Sequence, residues 1–116
     1  MGWIFPFKEI KRDANVILYG AGKMGTCFYH QLVDSCYCTL KLWVDENYKS
    51  FQKKGIDVQS PEIIKDSDFD TIIIAINSRK IVKDVMKYLQ GKEINQNKIW
   101  HPFLNDNGMS EIVDEN

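Results

Sequence analysis

The sequence predicts a doubly wound α/β domain, an open parallel sheet of about five strands in the order 3-2-1-4-5, and three observations carry that expectation. The apolar run Val16-Ile17-Leu18-Tyr19 feeds directly into Gly20-Ala21-Gly22-Lys23-Met24-Gly25. Thr71-Ile72-Ile73-Ile74-Ala75-Ile76 is a β-branched run without polar alternation, the pattern of a strand buried on both faces. Around these runs, segments with a period near 3.6 alternate with strand-like ones, which gives right-handed crossovers between parallel strands.

Each element follows in order. Residues 1–14 form an N-terminal arm whose Trp3-Ile4-Phe5-Pro6-Phe7 cluster must be covered, either as a lid on its own domain or by a neighbouring domain or second subunit. The α/β unit spans residues 15–104, the segment in which nucleotide binding is expected from the glycine run Gly20 to Gly25. After the glycine turn, Lys23 to about Ser35 is helical, with Met24, Cys27, Phe28, Gln31 and Leu32 as its inward stripe. The strand Cys38 to Val44 sets Cys38, Leu40, Leu42 and Val44 on one face against Thr39, Lys41 and Trp43 on the other. Asp45-Glu46-Asn47 is the loop at its carboxyl end. A short helix or loop from Tyr48 ends at Gly55, Ile56-Asp57-Val58 is a brief edge strand, and Pro61 opens a short helix that runs to Lys65. Beyond the central strand, Asn77 or Ser78 caps a helix through Gln90, with Ile81, Val82, Val85, Met86 and Leu89 inward and Gly91 at its end. Lys98-Ile99-Trp100 is the last strand, and the polar tail from Asn105 to Asn116 frays.

The glycine turn carries the chemistry. Gly20 permits the bend out of the strand, Gly22 lets the backbone approach phosphate oxygens, and Gly25 lets the next helix pack against the strand. The helix that begins there aims unpaired N–H groups and its positive dipole end at an anion. Asp45, twenty residues after Gly25, is placed to accept from a ribose diol and to repel a 2′-phosphate, so a dinucleotide is expected as NAD instead of NADP. The crevice opens between the ends of the first and fourth strands, with Gly22, Lys23, Met24, Asp45, Ala75, Ile76 and Asn77 along it.

Composition narrows the partners. At 116 residues with net charge -1, the chain forms one domain and offers no basic field to hold a nucleic acid. No apolar stretch reaches membrane-spanning length and no secretory leader is evident, so a cytoplasmic site is expected, with Cys27, Cys36 and Cys38 as reduced thiols and no metal. Catalytic motifs fail on context. Tyr37 and Lys41 have the YxxxK spacing but straddle a strand boundary, His30 and His101 have no partner at a recognisable spacing, and Lys23 precedes Met24 instead of the Ser or Thr a Walker loop needs.

VILYGAGKMG, LWVDEN, GIDVQSPEII and FDTIIIAI together resemble the small Rossmann domains of bacterial cell-surface polysaccharide enzymes. Such domains stand at the front of sugar-nucleotide epimerase/dehydratases and sugar acyltransferases, and beside glycosyltransferases. The resemblance covers about residues 15 to 100. It implies a module for NAD, a nucleotide sugar or coenzyme A, held by Gly20, Gly22, Gly25 and Asp45, with catalysis residing in a companion domain. Two other readings stay open: an oxidoreductase subunit completed by oligomerisation through the apolar arm, and an adaptor whose turn holds no ligand.

Overall fold

The computed structural model describes residues 2–104, so the tail expected from Asn105 lies outside the described residues. The strands are β1 (Asn15–Tyr19), β2 (Thr39–Val44), β3 (Thr71–Ile74) and β4 (Ile99–Trp100). The α-helices are α1 (Lys23–Ser35), α2 (Tyr48–Lys53) and α3 (Arg79–Gly91), with 3-10 turns at Pro61–Asp66 and Gln96–Lys98. All strand pairs are parallel and the sheet order is β2-β1-β3-β4.

The sheet therefore has four strands where five in the order 3-2-1-4-5 were expected. The missing one is Ile56-Asp57-Val58. Val58 N–H donates to the Ile56 carbonyl at 2.9 Å, a tight local turn that withdraws the donor from any ladder. Only the next residue reaches the sheet. Gln59 forms a single parallel bridge to Val44, through its N–H to the Trp43 carbonyl at 2.8 Å and its carbonyl from Asp45 N–H at 3.1 Å.

The sheet is covered on both faces. On one side, α1 and the N-terminal arm pack Phe5, Phe28 and Leu32 against Val16, Leu18 and Ile73. On the other, Val82, Val85 and Leu89 of α3 meet Ile17, Ile72 and Ile74. Beyond Asn15 and Thr71 at their starts, central β1 and β3 are buried and largely apolar, as parallel strands between two helical layers must be. Ile81, expected inward on α3, instead points out at 49% exposure. Ser78 caps α3 by accepting from Ile81 N–H at 3.3 Å. The helix runs on through Gly91, and the left-handed residue that follows is Glu93 at φ 61°.

Strand β2 corrects the predicted faces. Val16 pairs with Leu40 and Ile17 with Leu42, so Lys41 is an extra residue and the register slips between them. A one-residue bulge reverses the alternation beyond it. Cys38, Leu40 and Trp43 consequently pack on the α1 side, whereas Leu42 and Val44 pack on the α3 side. The final strand is also shorter than expected, because Lys98 closes a 3-10 turn that Asn95 caps.

The apolar arm packs on its own domain through Phe5 and Pro6, whereas Ile4 stays 81% exposed. Phe5 is buried at 1% exposure, edge-on to Phe28 at 5.5 Å and to Phe7 at 4.9 Å. The Gln31 side-chain amide of α1 clamps the arm backbone, accepting from Phe5 N–H at 2.8 Å and donating to the Trp3 carbonyl at 2.7 Å. Tyr37, the tyrosine of the YxxxK spacing, serves the same purpose: its hydroxyl donates toward the carbonyls of Ile10 and Phe7 at 2.9 and 3.1 Å.

Candidate functional site

At the carboxyl ends of β1 and β3 lies a cleft of about 500 Å³. Its floor is the glycine turn. Gly20 has φ 120°, and a Cβ there would press on the Ala75 carbonyl at 2.8 Å, so only glycine fits the bend. A Cβ on Gly25 would overlap the Gly20 carbonyl, so its absence lets α1 close onto the strand. Gly22 differs from both: a Cβ on it would meet nothing within 4 Å. Its missing side chain leaves open backbone facing the cleft and relieves no internal crowding.

Gly22 is also the N-cap of α1, and no side chain caps that end. The first turn of a helix carries N–H groups without intrahelical partners. Gly22, Lys23 and Met24 bring that uncapped turn to the cleft wall, and there is no acidic side chain in the first turn to occupy it. Lys23 is exposed and Met24 is buried behind it.

Asp45 ties β2 to the turn. Its Oδ2 accepts from Ala21 N–H at 2.8 Å and its Oδ1 from Asn47 N–H at 2.7 Å. A carboxylate offers about four lone-pair directions, so each oxygen keeps one for a further donor. The indole N–H of Trp43 reinforces the same turn by donating to the Gly20 carbonyl at 2.7 Å, and its ring stacks on Tyr29 at 4.3 Å. Gly20 N–H in turn donates to the Val44 carbonyl at 2.8 Å. The turn is therefore bolted to β2 by three hydrogen bonds before any ligand arrives, the preorganisation a tight-binding site needs.

Gly20, Gly22, Lys23, Met24, Asp45, Ala75, Ile76 and Asn77 all line the cleft, and Gly25 supports it from behind. Sequence reasoning missed Trp3, Tyr19, Glu46, Ile81 and Asp84, which line it together with Asn47 and Val85. Trp3 arrives through the arm, and Asp84 comes from the exposed face of α3. Asp45 and Glu46 from the loop after β2 and Asp84 from α3 bring carboxylates to the cleft, and Lys23 stands at the helix start.

Tyr19 is the unexpected member. Its side chain is 2% exposed, yet its hydroxyl has no hydrogen-bond partner among the described residues. Burial, then the nearby Glu46, Tyr88 and Asp45, push its pKa far above the ordinary phenol value, so it stays protonated and a hydrogen-bond donor.

A second groove of about 570 Å³ runs beside the β2 bulge, past Tyr29, His30 and Lys41. It is slightly larger, but neither the Gly20–Gly25 turn nor the start of α1 at Gly22 and Lys23 opens into it. His30 is exposed there, whereas His101 is buried at 5% exposure with its Nδ1 accepting from Phe103 N–H at 3.1 Å. Neither faces the cleft. Among the described residues, no group of three or more His, Cys, Asp or Glu is placed to hold a metal, and Cys27, Cys36 and Cys38 are free thiols. No helix among them is long and apolar enough to cross a membrane. Comparison with protein-family models, with curated proteins and with solved structures finds no match for this chain.

Proposed function

We propose that the cleft binds a nucleotide ligand through its diphosphate, NAD(H) or a nucleotide sugar, and that the domain serves as a nucleotide-binding module for a sugar-modifying or polysaccharide-building enzyme. The single observation that carries this reading is the bare, uncapped backbone at Gly22 at the start of α1. Oriented N–H groups and the positive helix end are what a diphosphate requires. Asp45 supports it, because its two free lone-pair directions suit the vicinal hydroxyls of a ribose. Glu46 beside it adds a second negative charge, which disfavours a 2′-phosphate, and the polysaccharide context rests on the sequence resemblance alone.

Chemistry is left to a partner. A hydride transfer needs a proton donor or acceptor against the reacting carbon, and the titratable groups on the cleft are carboxylates, one lysine and a phenol held far from ionising. The module reading therefore ranks above a self-sufficient oxidoreductase.

A thermal-shift panel with NAD, NADP, coenzyme A and nucleotide sugars tests this. A ligand at a hundredfold excess over its dissociation constant stabilises by about 2.7 kcal/mol. NAD or a nucleotide sugar should raise the melting temperature more than NADP does, and Gly22→Val should remove that rise by filling the open space with an isopropyl group. Silence from every ligand would overturn the proposal.

A further inference from the structure

Beside the cleft, on the α3 side of the sheet, is a smaller notch of about 210 Å³ bounded by Tyr19, Glu46, Tyr48, Ser60, Glu62 and Tyr88. Tyr19 and Glu46 belong to both hollows, so they form the wall between them. From this arrangement we infer that the notch is a second binding site, for one neutral polyhydroxylated ring of the monosaccharide class.

Four observations carry the inference. The Tyr19 hydroxyl is a buried donor without an acceptor in a chain whose other buried side-chain polar atoms are satisfied among the described residues. Leaving such a group unpaired is costly, so a ligand oxygen that accepts from it would be held there. Next, the notch is rimmed by two carboxylates, Glu46 and Glu62, which accept and never donate. A vicinal diol gives each carboxylate its donors and offers its own oxygens to the phenol. Third, charged ligands suit it poorly. No cationic side chain lines the notch, which disfavours an anion between two glutamates. Lysine ammonium groups already lie over the rings a cation would use, Lys49 at 6.0 Å from Tyr48 and Lys92 at 5.5 Å from Tyr88. Last, the hollow is smaller than the roughly 300–1,000 Å³ typical of sites for drug-sized ligands, so it has room for a single ring.

The test needs no nucleotide and so stands apart from the fate of the cleft. Saturation-transfer NMR on the full chain is run with glucose and N-acetylglucosamine as neutral probes, and with glucuronate and glucosamine as charged controls. Transfer to a neutral sugar at millimolar concentration, weakened about tenfold in Tyr19→Phe and weakened also in Glu62→Gln, is the expected result. Tyr19→Phe keeps the ring that packs in the core, and a melting temperature no lower than that of the native chain verifies its fold. No transfer to either neutral sugar, stronger transfer to a charged control, or an unchanged signal in Tyr19→Phe would overturn the inference.

Discussion

At the scale of single residues, the three glycines of the turn make opposite demands. Gly25 is required by packing, since a methyl there would overlap the Gly20 carbonyl. Gly22 is not, because its surroundings are open and its φ of -78° suits any residue. Gly25→Ala should therefore destabilise the domain by about 1–3 kcal/mol, the usual cost of overpacking, while Gly22→Ala should leave urea unfolding within about 0.5 kcal/mol of the native chain. Equal losses from the two substitutions would mean that the turn is merely structural. The glycine turn and Asp45 were readable from sequence because their spacing is local and each has a backbone reason. The empty hydrogen bond of Tyr19 was not, since it depends on what α3 and the loop after β2 fail to bring near the phenol.

At the scale of elements, α1 and α3 could be read from their helical period, and β1 and β3 from unbroken apolar runs that a strand buried on both faces requires. Strand β2 could not. Its composition alternates cleanly, but the bulge at Lys41 transfers Leu42 and Val44 to the opposite side, and only pairing with β1 reveals that slip. The edge strand at Ile56 failed for a similar reason: a local turn outcompeted the ladder. His101 directly follows β4, and its burial lowers its basicity below the ordinary imidazole value of about 6.5. Protonation would also put a donor at Nδ1 against Phe103 N–H. The neutral ring's contribution is thus complete above about pH 6.5 and is lost as pH falls toward the lowered folded value, because the unfolded chain takes the proton first. Urea unfolding between pH 7.5 and pH 5 should show stability falling by up to about 1.4 kcal/mol per pH unit below 6.5. His101→Asn should flatten that slope, and an undiminished slope in the variant would assign it to other groups.

At the scale of the whole molecule, the two helical layers leave the carboxyl ends of β1 and β3 uncovered, and there the uncapped start of α1, the Asp45 carboxylate and the Tyr19 wall converge. The N-terminal arm is folded onto α1 and places Trp3 at the same mouth, so a partner domain that displaced the arm would change the cleft as well. The proposed function rests on the open backbone at the start of α1 receiving a diphosphate. Backbone-amide NMR tests it most directly, by following the amide resonances during titration with NAD and with a nucleotide sugar. The expected result is a saturable shift at Gly22, Lys23 and Met24, accompanied by Asn47 beside Asp45, with the groove at Tyr29 and His30 silent. Shifts confined to that groove, or none at the glycine turn at ligand concentrations reaching millimolar, would contradict it.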